Sequence, residues 1–148
     1  MMKKTASLLL FSALIGLGGV ALAQTMDSIV GTWKTFDDET NQPAALVQIS
    51  EKNGVFSGVI TKVLDTSGSP TCEKCTDSRK DKSILGMEIL SDLKKQGESY
   101  SGGHILDPDD GEIYRAEMKL KDQGSKLDLR AYIGIPLLGR TQTWVREK

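Results

Sequence analysis

The sequence predicts an all-β domain, a single eight-stranded antiparallel barrel that runs up and down, with a disulfide-stapled polar loop. Turn pairs of the hairpin type recur along the chain, at Asn53-Gly54, Asp110-Gly111 and Gln123-Gly124. The segments between turns are short and rich in β-branched or aromatic side chains, which is typical of sandwiches and barrels. Tryptophans close to both ends, Trp33 and Trp144, indicate that the first and last strands meet.

Residues 1–23 are predicted to be a signal peptide. Lys3-Lys4, an apolar run and the small-residue site Ala21-Leu22-Ala23 follow one another in the order of a secretory signal. The apolar run is shorter than the roughly 20 residues that span a bilayer. We therefore expect cleavage before Gln24, a β-barrel domain at residues 24–148, a periplasmic or secreted location and no membrane span.

Composition limits the partners of the exported part. Its length suits one domain. Removing Lys3 and Lys4 from the 19 basic residues leaves 17 against 20 acidic residues, a net charge of −3. This mild, mixed charge gives no electrostatic case for nucleic acid or an anionic membrane surface. The sequence does not indicate an oligomeric state.

The first four strands are expected at Ile29–Phe36, Leu46–Ser50, Val55–Leu64 and Ile84–Leu93. The polar turn DDETNQPA separates the first two strands, and an Asn-Gly pair separates the next two. The fourth segment leaves an alternative open, because Met87, Leu90 and Leu93 would also form a helical stripe. A strand is favoured there because an even number of strands closes a barrel without an edge.

The last four strands are expected at Tyr100–Leu106, Ile113–Leu120, Leu127–Ile133 and Arg140–Arg146. The second of these alternates regularly between apolar and charged side chains. In the strand Tyr100–Leu106 the alternation places the single histidine, His104, on one face with Tyr100, Gly102 and Leu106. A hydrogen-bonded strand histidine is favoured over a general base, because no partner nucleophile is evident.

The first strand opens on Gly31-Thr32-Trp33, a G-x-W triplet. It resembles the opening of the calycin barrels (lipocalins, fatty-acid-binding proteins and avidins), in which this tryptophan packs at the closed end against an arginine of the last strand. The resemblance implies a cation–π contact of Trp33 with Arg140 or Arg146. Gly31, Trp33 and Arg146 would then be structural. A core tryptophan of any β domain is an equal alternative.

A second resemblance covers nearly the whole exported part. The blocks VGTWKTFDDET, C-x-x-C, ILGMEIL, GGHILDPDDGEIY and YIGIPLLGRTQTWVR resemble the bacterial exported family known as domain of unknown function 2147. Where that family has R-G-Y-I-G, this chain has Ala131 as the second residue. The family carries no established activity, so the resemblance implies a fold and a compartment and transfers no catalytic residue.

Cys72 and Cys75 lie in a polar stretch, Asp65–Lys82, for which three interpretations compete. A disulfide is favoured because both cysteines are in the exported part. A metal site would need two further ligands beyond one C-x-x-C. A redox site needs the first cysteine at a helix N-terminus, and the residues after Cys75 do not predict one.

Two acidic turns are candidates for a cation site. Asp107–Glu112 gathers four carboxylates, and Asp37-Asp38-Glu39 carries three. Calcium binding or acid–base catalysis of glycan hydrolysis would use such groups. Hairpin chemistry explains the same residues and is favoured. A cation site requires that both turns meet at one barrel mouth, and the sequence alone does not place them together.

Arginine and aromatic side chains are concentrated on the last two strands, where Arg130 and Tyr132 share one face. On the last strand, Arg140, Gln142, Trp144 and Arg146 also share one face. Each of these two faces either lines a polar barrel interior or forms the outer, solvated surface. In the first case the ligand-binding residues are Tyr114, Arg130, Tyr132, Arg140 and Trp144, with an arginine anchoring an acidic head group.

Two functions are consistent with the sequence. One is a periplasmic module that binds a small amphipathic or lipophilic ligand inside the barrel. The other is an interaction or structural protein of the envelope, whose packed barrel acts through its loops, chiefly Asp65–Lys82. An enzyme is not favoured because the catalytic inventory is thin, and neither a cofactor nor a metal is expected. The volume of the barrel interior distinguishes the two functions.

Overall fold

The structure, a computed structural model, describes residues 26–148. The predicted signal peptide and its cleavage site lie outside the described residues. The strands are β1 (Gly31–Phe36), β2 (Pro43–Lys52), β3 (Val55–Val63), β4 (Glu88–Gln96), β5 (Ser99–Leu106), β6 (Ile113–Lys121), β7 (Lys126–Tyr132) and β8 (Arg140–Arg146). Short 3-10 turns occupy Asp122–Gly124 and Pro136–Leu138. Within residues 26–148, no helix has the length and apolar character needed to cross a membrane.

Each strand pairs with the next in antiparallel fashion, and β8 pairs back with β1 to close the barrel. The closing pairs are Trp33 with Arg146 and Lys34 with Val145. The predicted eight-stranded up-and-down barrel is therefore confirmed. Alternation of the strands puts the β2–β3, β4–β5 and β6–β7 turns at one end. The other four connections lie at the opposite end, here called the mouth.

The ambiguous fourth segment is a strand, but it begins at Glu88 rather than Ile84. The preceding residues form a turn along β3, in which Gly86 N–H donates to the Ile60 carbonyl at 2.8 Å. Gly86 has a φ of +85°, a conformation that favours glycine and interrupts a strand. Leu90 and Leu93, which also fit a helical stripe, are both completely buried in the barrel.

The end opposite the mouth is filled by large side chains. Trp33, Tyr100, Met118 and Leu127 are almost completely buried, and Phe56 meets Tyr100 edge to face at a centroid distance of 4.9 Å. Segment 26–30 crosses this end, and the Trp33 indole donates to the Ile29 carbonyl at 2.8 Å. This half of the barrel is therefore a packed core.

Arg146 closes the seam between the first and last strands. Its guanidinium lies 4.2 Å from the centroid of the Trp33 ring. The sequence left the partner of Trp33 open between Arg140 and Arg146, and the structure places Arg140 at the mouth instead. Gly31 is adjacent, with a φ of +140°, and a Cβ there would lie 2.6 Å from Nη1 of Arg146. A larger residue would therefore displace this guanidinium, and the positive φ also favours glycine.

The long loop between β3 and β4 is stapled by the predicted disulfide, with Cys72 and Cys75 sulfurs 2.00 Å apart. Both cysteines are buried. The loop also pairs with itself, because Cys72 N–H donates to Lys82 O at 2.9 Å and Asp81 N–H donates to Cys72 O at 2.8 Å. The disulfide prediction is confirmed, and the polar loop has a fixed backbone path.

A bulge in β5 changes the predicted faces of that strand. The register shifts between Tyr100 and Gly103, and Gly102 takes a φ of +79°. Because a bulge adds one residue to the strand, Tyr100, Gly103 and Ile105 are buried while His104 is exposed. His104 therefore does not share a face with Tyr100, as the sequence alternation predicted.

Candidate functional site: a cavity at the barrel mouth

The mouth half of the barrel encloses a cavity of about 440 Å³. This volume lies within the range of roughly 300–1,000 Å³ that small-molecule sites occupy. Its deep wall is apolar and includes Val47, Ile60, Ile105, Leu129 and Trp144. The barrel is thus packed at one end and hollow at the other.

Short side chains explain why this half is hollow. Thr35, Ala45 and Ala131 occupy wall positions here, whereas Trp33 and Tyr100 fill the opposite half. Small residues at these inward-facing positions leave space that large side chains occupy in the opposite half. The cavity is therefore encoded by small residues at particular wall positions.

A chain of hydrogen bonds runs from the cavity floor to its rim. The Trp144 indole donates to Gln142 Oε1 at 3.0 Å, and Gln142 Nε2 donates to Asp38 Oδ1 at 2.6 Å. Trp144 is buried, whereas Asp38 lies on the β1–β2 turn at the mouth. This network fixes the indole and leaves its ring face available as apolar wall.

Arg140 joins two turns across the mouth. Its guanidinium contacts Asp38 Oδ2 at 3.0 Å and Asp107 Oδ2 at 2.7 Å, and it lies 5.3 Å from the Tyr114 ring centroid. The Tyr114 hydroxyl donates to Asp110 Oδ2 at 2.6 Å, and this hydrogen bond raises the pKa of Tyr114 to about 12. The rim is therefore held together by hydrogen-bonded ion pairs.

The two acidic turns, whose relative position the sequence left open, meet at this mouth. Asp37, Asp38, Asp107 and Asp109 all border the cavity. Although Asp109 as a whole is exposed, its pKa is raised, first by partial burial of the carboxyl group and then by the neighbouring Asp107 and Asp37 charges. The only basic side chain bordering the cavity among the described residues is Arg140. The rim is therefore dominated by negative charge.

The carboxylates of the rim are not arranged as metal ligands. In the part of the chain that the structure describes, no group of three or more histidine, cysteine, aspartate or glutamate side chains could hold a metal ion. Arg140 lies between Asp38 and Asp107 and occupies the position where a cation would join them.

The structure separates the predicted ligand-binding residues into two sets. Tyr114, Arg140 and Trp144 line the cavity. Arg130 and Tyr132 are on the outer face, because they alternate with the buried Leu129 and Ala131. Of the two alternatives that the sequence left open, the structure places Arg130 and Tyr132 of β7 on the outer face and Arg140 and Trp144 of β8 on the inner face. The inner face of β7 carries small and aliphatic side chains.

Asp38, Asp107 and Asp109 were not predicted as cavity residues, although their turns were noted. The available signal was topological: in an up-and-down barrel the β1–β2 and β5–β6 turns lie at the same end. That inference depends on the strand count, because a helix in place of the fourth strand, the alternative that the sequence left open, would place the two turns at opposite ends.

A closed eight-stranded up-and-down barrel with a cavity open at its mouth defines a lipocalin-like protein. A family model described as "Uncharacterized protein conserved in bacteria (DUF2147)" matches residues 31–146, and the chain belongs to this family. The predicted family resemblance is thus confirmed.

The fold also resembles a solved structure. Protein HP1028 from Helicobacter pylori, described as belonging to the lipocalin family, is 25% identical to this chain. Its structure superposes with a TM-score of 0.72 and the match covers 83% of this chain and 85% of that one. No curated protein sequence matches this chain significantly.

Proposed function

We propose that this protein binds a small amphipathic molecule, with the apolar part of the ligand in the cavity and the polar part at the rim. The observation that carries the proposal is the half-filled barrel, with a cavity of about 440 Å³ above a packed core. A barrel that acted only as a scaffold for its loops would be more stable with that space filled. The resemblance to HP1028, described as a lipocalin, supports the same function.

The rim charges favour a ligand whose polar end is neutral or cationic. Arg140 is already compensated by Asp38 and Asp107, so an acidic head group would have to displace one of these carboxylates. An amine or hydroxyl would instead donate to carboxylate oxygens already at the rim, among them those of Asp37 and Asp109. This revises the acidic head group that the sequence suggested for Arg140.

We further propose that the protein acts outside the cytoplasm. The predicted signal peptide at residues 1–23 supports export, and so does the disulfide between Cys72 and Cys75, because disulfides persist in oxidising compartments. A binding protein in the periplasm or the medium would carry or sequester a small molecule of low solubility.

A titration with three matched ligands tests the proposal. An alkyl amine, an alkyl alcohol and an alkyl carboxylic acid of one chain length are added while the intrinsic tryptophan fluorescence is followed. We expect saturable binding that changes the Trp144 signal, with the amine bound roughly tenfold more tightly than the acid, a difference of about 1.4 kcal/mol. No saturable binding of any of the three would contradict a ligand-binding function.

A cavity-filling variant locates the site. Ala131 is 7% exposed and lines the cavity, so Ala131→Phe should fill part of it and weaken binding by about tenfold or more. Thr61→Phe is the matched control, because Thr61 is exposed on the outer face of β3 and is absent from the cavity lining. Equal affinities for the two variants would place the ligand elsewhere.

A further inference from the structure

The loop between β7 and β8 exposes four large aliphatic side chains. Ile133 is 60% exposed, Ile135 53%, Leu137 82% and Leu138 76%. They lie within six consecutive residues, at the end of the barrel where the cavity opens. Single exposed aliphatic residues are normal on a protein surface, but a contiguous group marks an interaction site. We call residues 133–139 the apolar loop.

Five backbone groups of the apolar loop are hydrogen-bonded within the protein: the carbonyls of Ile135, Pro136 and Leu137 and the N–H groups of Leu138 and Gly139. Arg130, which is on the outer face, donates through Nε to Pro136 O at 2.9 Å and through Nη2 to Leu137 O at 3.3 Å. Leu138 N–H donates to Ile135 O at 3.2 Å, and Gly139 N–H donates to Pro136 O at 3.1 Å. These hydrogen bonds fix the 3-10 turn Pro136–Leu138, in which Leu137 and Leu138 are exposed.

The tip of the loop is the part best suited to a lipid interface. A turn that contacts the apolar edge of a membrane costs less when its backbone groups are hydrogen-bonded within the protein. Pro136 has no N–H to satisfy, and the Pro136 and Leu137 carbonyls are hydrogen-bonded to Arg130. Arg130 also reaches Thr141 Oγ1 at 3.0 Å, which anchors the guanidinium to β8.

The size of the patch argues against a stable interface with a second copy. A standard protein–protein interface covers about 800 Å² and roughly 20–30 residues on each partner. The apolar loop offers four side chains, and exposed Ile113 at the start of β6 adds one beside it, whereas the adjacent turns carry mainly charge. Asp37-Asp38-Glu39 contributes three carboxylates and Asp107–Glu112 four. Two such mouths facing each other would also repel.

We propose that the apolar loop is a membrane-contact element that inserts Leu137 and Leu138 into a lipid surface of low net charge and holds the barrel mouth against it. The same carboxylates that oppose self-association also exclude an anionic surface, so the proposal commits to zwitterionic lipid. This proposal goes beyond ligand binding and does not depend on it. The side chains of the apolar loop are exposed whether or not the cavity holds a ligand.

Co-sedimentation of the exported chain with phosphatidylcholine vesicles tests this proposal. We expect the chain to partition onto the vesicles. The double variant Leu137→Ser, Leu138→Ser should lower the partition coefficient on the order of a hundredfold, since each leucine side chain contributes about tenfold or more. Val30→Ser is the matched control, because Val30 is 40% exposed beside the closing seam, away from the mouth. This control should bind as the wild type does.

The variant Arg130→Gln tests whether vesicle binding depends on the conformation of the apolar loop as well as on its aliphatic side chains. It leaves the four aliphatic side chains in place but removes the guanidinium that holds the two carbonyls. We expect vesicle binding weakened by roughly tenfold with an unchanged circular dichroism spectrum, since an unsatisfied carbonyl opposes insertion. Replacing part of the phosphatidylcholine by phosphatidylglycerol should also weaken binding, and added salt should reverse that loss.

Three results would overturn the proposal. The first is the absence of wild-type partitioning, and the second is equal partitioning of the wild type and the double leucine variant. The third is a wild-type dimer, seen by sedimentation velocity, that the leucine variant converts to a monomer while vesicle binding is absent. The last result would assign the loop to self-association instead.

Discussion

Arg146 shows how one side chain joins the two ends of the sheet. Besides stacking on Trp33, it donates through Nε to Gly124 O at 2.7 Å, through Nη1 to Val30 O at 2.9 Å and through Nη2 to Ser28 O at 2.7 Å. Burial lowers its pKa, but a guanidinium remains charged at any physiological pH. The planar guanidinium of Arg146 donates to three carbonyls at once, which a lysine ammonium could not reach together.

Replacing this residue should be more costly than replacing the arginine at the mouth. We expect Arg146→Ala to lower the free energy of unfolding by about 2–3 kcal/mol, since charge-assisted hydrogen bonds to partly buried carbonyls are lost. Arg140→Ala should lower it by less than about 1 kcal/mol, because Arg140 is 45% exposed and its ion pairs are screened by water. Urea unfolding measures both variants, and equal losses would contradict the assigned roles.

The sequence could identify this seam only as a choice between two arginines. The G-x-W triplet and a late arginine are visible without a structure, but Arg140 and Arg146 share one face of β8 and have the same alternation. The pairing of Trp33 with Arg146 depends on the register between the first and last strands, which no local pattern reveals. Register is a long-range property of the closed sheet.

At the scale of single elements, turn chemistry was predictable and turn position was not. Proline, aspartate and glycine identify Asp107–Glu112 as a hairpin turn, and the structure confirms the turn. Its packing against the stapled loop was not predictable: a Cβ at Gly111, where φ is +75°, would collide with the Lys74 backbone. The Gly102-Gly103 pair inside β5 is a sequence signal for a bulge, but the pair alone does not give the shift in register that reverses the face of His104.

The Asp109 carboxylate should be destabilising at neutral pH. The pKa of Asp109 is higher in the folded protein than in the unfolded chain, so protonation of Asp109 favours the folded state. This contribution to stability is fully present below the unfolded pKa. It is lost as the pH rises through the folded pKa. We expect Asp109→Asn to raise the melting temperature at pH 7 and to have little effect at pH values below the unfolded pKa of about 3.9.

Asp110→Asn is the control for this effect. Asp110 accepts hydrogen bonds from the Tyr114 hydroxyl at 2.6 Å and from Glu112 N–H at 2.8 Å, so its replacement should give no gain in stability. A melting temperature of Asp109→Asn below that of the wild type at pH 7 would show that the rim is arranged for stability. A carboxylate that lowers the stability of the folded protein is instead typical of a binding surface.

The whole molecule combines a fold that its sequence predicts well with a cavity that its sequence does not reveal. Hairpin turns, alternation and an even strand count are local features, and together they specify the closed barrel. The cavity depends on which side chains face one another at each level of the interior. Thr35, Ala45 and Ala131 are far apart in the sequence and become neighbours of one space only through register and strand tilt.

Native mass spectrometry of protein purified from the periplasm is the most direct test of cavity binding. We predict that the wild type carries a small amphipathic molecule, released on unfolding, and that Ala131→Phe carries much less of it while Thr61→Phe carries as much. A wild type free of any bound molecule, under conditions where the three proteins remain folded, would contradict the account. So would equal occupancy of Ala131→Phe and the wild type.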